Sequence, residues 1–63
     1  MNKPKHDFEV WMETHIGMRV EKFPAAEFDT LEDQEEALFD LLRGCRFSDT
    51  KYTVFKDDEL INL

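Results

Sequence analysis

From Phe8 to Thr14 the chain alternates. Phe8, Val10 and Met12 fall on one side and Glu9, Trp11 and Glu13 on the other, the period-2 pattern of a strand with one buried face. His15-Ile16-Gly17 then reads as a three-residue hairpin loop, with Gly17 in the left-handed position such loops favour, and Met18-Arg19-Val20-Glu21 as the returning strand. This register sets Met12 against Val20 on the core face and Glu13 against Arg19 on the other. Lys22 then meets Val10, a poor match, so the pairing is expected to bend or end before Phe23-Pro24.

The period changes after Pro24. Leu31, Leu38, Leu41, Leu42 and Cys45 line up at helical spacing with Ala37 at the border, while Glu32, Glu36, Asp40 and Arg43 occupy the opposite face. Asp29 with Glu32 is a capping-box-like start, with Thr30 and Asp33 as a second frame. Acidic first turns suit the positive end of the helix dipole, and Gly44 is the expected C-terminal stop. Ser48-Asp49 reads as a turn and Tyr52–Lys56 as a third strand with Tyr52 and Val54 inward. The tail, 57–63, either extends that strand after a bulge or makes a helical turn.

These elements predict an α+β fold of ββαβ order: a three-stranded antiparallel sheet with strand one in the middle and one helix packed on one face. The other sheet face then has no cover within the chain. It carries Trp11 between Glu9 and Glu13, and Phe55 if Tyr52 and Val54 point inward. An aromatic among carboxylates is a natural binding anchor; the plainer alternative is a Trp lying over the sheet beneath the tail. Phe39, at the edge of the helix stripe beside Glu35, is either peripheral core or a second contact residue.

Size and charge narrow the function. A chain of 63 residues makes one domain with a thin core, and self-association through the open face is one way to thicken it. Residues 8–63 form that domain, and the basic start, residues 1–7, reads as a short disordered arm with no apolar stretch of the kind a secretory signal needs. The apolar content of 41%, with six Phe, is too high for a disordered chain. The formal charge of −7 argues against direct nucleic-acid binding and against an anionic membrane, and favours a basic protein partner. Plain solubility is the competing explanation of the charge. No apolar run approaches a membrane span, and the single cysteine, Cys45, suits a cytoplasmic setting.

Two acidic clusters stand out: Glu32, Glu36 and Asp40 on the helix, with Asp33 and Glu35 beside them, and Asp57-Asp58-Glu59 in the tail. A helical row of carboxylates spaced about 5–6 Å apart could imitate a nucleic-acid backbone, or could simply be a solvated face. Nothing else suggests chemistry. His6, His15 and Cys45 have no metal-ligand spacing, no EF-hand-like or phosphate loop exists, and a domain this small hardly encloses a pocket able to tune a carboxylate pair. No metal, cofactor or catalytic residue is expected, and the chain reads as a binder and not an enzyme.

The element order, the acidic bias and the helix opening Thr30-Leu31-Glu32-Asp33…Glu36-Ala37-Leu38 resemble a broad group of tiny phage-encoded proteins that disable host enzymes. The order is similar to that of phage inhibitors of bacterial RNA polymerase and of uracil-DNA glycosylase, and to some anti-CRISPR proteins. The polymerase inhibitor of this shape uses basic residues on its last strand, where this chain has Val54-Phe55-Lys56-Asp57-Asp58. The glycosylase inhibitors are acidic DNA mimics with an apolar grip. The resemblance implies a cytoplasmic inhibitor of a nucleic-acid-processing enzyme, filling a basic cleft with Trp11, Phe55 and the acidic clusters. The alternative is an adaptor or small subunit that docks through the sheet face around Trp11, its charge serving solubility alone.

Overall fold

The computed structural model describes residues 2–62. Strands β1 (Phe8–Thr14) and β2 (Gly17–Phe23) are followed by a single 3₁₀ turn (Ala25–Glu27), helix α1 (Leu31–Phe47) and strands β3 (Tyr52–Lys56) and β4 (Glu59–Ile61). The strands form one antiparallel sheet in the order β2-β1-β3-β4. The fold is α+β as expected, with one helix and strand one internal, but the sheet has four strands and not three. The fourth comes from the tail, which turns back at Asp57-Asp58 and pairs Leu60 with Phe55 and Ile61 with Val54. Both turn residues have positive φ, 49° and 68°, the signature of the tight type I′ turn whose twist matches a hairpin.

The core lies between the middle of the sheet and the helix. Val10, Met12 and Val54 are buried against Leu38, Leu42 and Cys45, with Phe8, Phe23, Leu41, Tyr52 and Ile61 packed around them. Val10 pairs with Val54 and Met12 with Tyr52, so β3 turns Tyr52 and Val54 inward as the pattern favoured.

The first hairpin differs from expectation by one residue. The turn holds only His15 and Ile16; Gly17 begins β2, pairs with Thr14 and supplies the positive φ, 128°. Thr14 fixes this turn, its Oγ1 donating to the Gly17 carbonyl (2.6 Å) and accepting from the Ile16 N–H (3.3 Å). Val20 therefore opposes Trp11 and Arg19 opposes Met12. A one-residue slip exchanges the two faces of a strand. Met18, Val20 and Lys22 move to the open face, while Arg19, Glu21 and Phe23 turn to the helix side. The mismatch of Lys22 with Val10 disappears, because Lys22 now opposes Glu9, and Phe23 opposes Phe8.

Helix α1 starts in the second of the two capping frames: Thr30 Oγ1 accepts the Asp33 N–H at 3.1 Å. It does not stop at Gly44. Cys45 is buried against the sheet, and that contact carries the helix on to Phe47. The chain then leaves through the paired bonds of a Schellman ending, Thr50 N–H to the Cys45 carbonyl (2.8 Å) and Asp49 N–H to the Arg46 carbonyl (3.3 Å). Asp49, at φ 57°, takes the left-handed position that glycine usually fills.

Two stability predictions follow from this packing. Leu38 and Leu42 are both almost wholly buried, and truncating either to alanine should cost about 2–5 kcal/mol. In so small a domain that is most of the available stability; a thermal melt of Leu42→Ala close to that of the parent would show that the helix stripe does not carry the core. Asp58→Gly should act oppositely, relieving a non-glycine residue at φ 68° and raising stability by about 0.5 kcal/mol once the added freedom of the unfolded chain is deducted. Urea unfolding reads this as a higher midpoint at unchanged slope.

Candidate functional site

The sheet face turned away from the helix is built by alternation, and every strand contributes to it. Trp11 (β1) is 39% exposed, Met18 and Val20 (β2) 56% and 37%, and Leu60 (β4) 66%; Phe55 (β3) is partly buried. Trp11 opposes Val20 on one side and Thr53 on the other, and Phe55 opposes Leu60, so the apolar groups run across the sheet from edge to edge. The Trp11 and Phe55 rings meet at 5.7 Å between centroids, tilted by 59°, a favourable aromatic geometry. Trp11 Nε1 donates to Glu9 Oε1 at 3.0 Å, which fixes the indole and leaves its apolar body outward. Glu9 and Lys22 lie side by side at one end of this face. At the other end Trp11, Glu13, Met18, Lys51 and Thr53 line a shallow depression.

Trp11, Glu9, Glu13 and Phe55 are thus brought together, as the alternation implied. Met18, Val20 and Leu60 join them and were missed. The first two were hidden by the hairpin register, although the opposite charges of Glu9 and Lys22 were a signal for the observed one. Leu60 was hidden because the tail had no clear periodicity.

The other candidates lie elsewhere. Glu32, Glu36 and Asp40 are exposed on the helix surface opposite the core, hence on the far side of the domain from Trp11; Asp40 lies 3.7 Å from Arg43. Phe39, 42% exposed, lines a groove at the flank of the helix and not the sheet face. Asp57 and Asp58 form the β3–β4 turn, and Glu59 opposes Lys56 beside Phe8 on the helix side of the sheet.

Asp57 is tied to the segment preceding β1. Its Oδ1 accepts the Asp7 N–H (3.0 Å), its Oδ2 lies 2.5 Å from His6 Nδ1, and its own N–H donates to the Asp7 carbonyl (2.9 Å). Asp7 Oδ1 in turn accepts the Ala25 N–H (2.8 Å), and the Asn2 carbonyl accepts the Leu31 N–H (2.7 Å). Gln34, fully buried on the helix, completes the junction: its Nε2 donates to the carbonyls of His6 (2.7 Å) and Phe23 (2.9 Å). The expected arm, from Asn2 onward, has partners in the helix, in the β3–β4 turn and beyond β2. Gln34 gave no signal in the sequence, since a polar residue inside a helical stripe reads as a gap.

Among the described residues no three His, Cys, Asp or Glu side chains converge as metal ligands, and no helix is long and apolar enough to cross a membrane. Comparison of the chain with protein-family models, with curated proteins and with solved structures finds no match. What the protein does must be read from its own surfaces.

The Asp57 contacts give a pH prediction. The Asp7 backbone N–H, and then the His6 side chain, hold the Asp57 carboxyl below its ordinary value of 3.8. A carboxylate stabilised in the folded state contributes fully above its unfolded value and loses that contribution as pH falls through the lower, folded one. The junction of residues 6–7 with the β3–β4 turn should therefore hold at neutral pH and loosen only below 3.8. Asp57→Asn should remove that acid step. Amide chemical shifts of Asp7 and Asp58 followed from pH 7 downward report it; an Asp57 step at or above its ordinary value would contradict the contact.

Proposed function

We propose that the protein is a binding module that docks on a protein partner through its uncovered sheet face, with Trp11 as the anchor, and performs no chemistry itself. One observation carries this reading: five apolar side chains from all four strands share a face that nothing among the described residues covers. Contiguous apolar groups rimmed by polar ones mark interaction surfaces. An aromatic desolvated at the centre of such a patch supplies much of the binding energy. The net charge of −7 adds long-range attraction to a basic partner. A nucleic-acid-processing enzyme has a surface of that kind, and inhibition by occupying it is the form the phage-inhibitor resemblance suggests.

Mimicry of a nucleic-acid backbone by Glu32, Glu36 and Asp40 needs the opposite side of the domain. A partner seated on Trp11 leaves that row in solvent, and a cleft that swallows the row leaves Trp11 in solvent. The two modes are therefore separable by substitution. With a partner recovered from lysate, Trp11→Ala should lose about 2 kcal/mol or more of binding while the fold persists, because the indole points away from the helix. Changing Glu32, Glu36 and Asp40 to their amides should slow association, lower its salt dependence and leave dissociation nearly unchanged. Unaltered affinity of Trp11→Ala, with faster dissociation of the triple variant, would replace sheet-face docking by cleft mimicry.

A further inference from the structure

A second surface lies on the helix side of the molecule. The segment before β1, the first half of α1 and the adjoining ends of β1 and β3 enclose a groove of about 410 Å³, within the range of pockets that take small ligands or chain ends. Phe8, Leu31, Leu38 and Phe39 give it an apolar lining. Lys3, Lys5 and Lys56 also border it, three of the chain's eight Lys and Arg residues. Among the described residues none of the three makes a close salt bridge, although the charge of Lys56 also acts on the neighbouring Asp57 carboxylate. In a chain of charge −7, Lys3 and Lys5 gather with Lys56 around an apolar groove that has one carboxylate, Glu35, on its wall. His6 stands there too, its Nδ1 turned to Asp57.

The groove holds one more unmet requirement. Gln34 lines it and is fully buried, and both of its Nε2 bonds go to carbonyl oxygens, which fixes the orientation of the amide. Its Oε1 is left buried without a hydrogen-bond partner. Such an acceptor is costly to bury unpaired and calls for a donor.

We propose that this groove binds the C-terminal end of a peptide chain whose last residue is apolar. The free α-carboxylate is the anion that Lys3, Lys5 and Lys56 can surround. The apolar side chain lies on Phe39, Leu31 and Phe8. The last peptide N–H is the donor for Gln34 Oε1, reached as residues 2–5 give way while the His6 carbonyl keeps its bond to Gln34 Nε2, and Glu35 disfavours a second acidic group beside the first. This site is independent of the sheet face and of any partner that docks there.

The test uses the intact chain and two peptides, N-acetyl-Ala-Ala-Phe with a free carboxylate and the same peptide as its C-terminal amide. Titration followed by NMR should move the amides of Lys5, His6, Phe8, Glu35, Phe39 and Lys56 and the side-chain amide protons of Gln34, leaving Trp11 and Val20 unmoved. The amidated peptide should bind about tenfold more weakly, the value of a charge-assisted contact. Combined Lys3→Gln, Lys5→Gln and Lys56→Gln should weaken the acid by at least that factor and leave the amide unaffected. Phe39→Ala, at a half-exposed position the core does not need, should weaken both peptides. Equal affinity for acid and amide, shifts confined to the Trp11 face, or no shift at millimolar peptide would each overturn the proposal.

Discussion

The width of a single helix sets most of this structure. With its side chains a helix is about 10–12 Å across, and neighbouring strands are about 4.8 Å apart, so one helix covers roughly two strands. The two covered here are β1 and β3, the middle pair, and they supply Val10, Met12 and Val54 to meet Leu38, Leu42 and Cys45. β2 also approaches the helix, packing Phe23 against the core, and β4 packs Ile61 there, but the rest of each outer strand reaches past that cover on the same side. β2 accordingly places Arg19 and Glu21 there, bonded to each other through Arg19 Nε and Nη2 to Glu21 Oε1 at 3.0 and 2.6 Å. The other outer strand places Glu59 opposite Lys56. Charged residues facing the helix side of a sheet look misplaced in a pattern, and are well placed once the helix is known to be too narrow to bury them.

That limit also explains what could be read from the chain and what could not. Where one side of an element is buried and the other wet, as in β1 and in α1 from Leu38 to Cys45, the hydrophobic period carried the assignment. The inward choice of Tyr52 and Val54 came from the same contrast. β2 has no such contrast, since neither of its faces is fully buried, and Met18 and Val20 were assigned to the wrong side. The tail failed for another reason: its strand is three residues long, too short to repeat the period-2 pattern, and the turn that makes it possible has Asp58 where glycine is usual. At Gly44 a local preference for ending the helix gave way to the burial of Cys45 one residue later. The centre of the candidate face, Trp11 with Glu9, Glu13 and Phe55, was legible because it depends on β1 and β3; its margins depend on β2 and β4 and were not.

The separation of the surfaces bears on function as much as their composition does. An anchor on one side and an acidic row on the other let the molecule present an apolar contact to a partner while its charge remains hydrated and active at long range. The lysine-bordered groove lies away from the sheet face and adjoins the acidic row along the first half of α1, at the junction where Gln34 ties helix, arm and sheet together.

The strand order has a consequence for how the chain assembles. β1 pairs with β2 across a two-residue turn and β3 with β4 across another, and α1 needs only its own residues to nucleate, so each of these pieces is local in sequence. Pieces of that kind form in about 0.1–10 microseconds. The Val10–Val54 ladder alone joins the first hairpin to the second, and it closes a loop that contains the entire helix. Closing that loop costs chain entropy before the core returns it. The slow event in folding is therefore the meeting of β1 with β3. Until it happens the two hairpins, each marginal on its own, form only transiently and leave their edges open to pairing with another molecule.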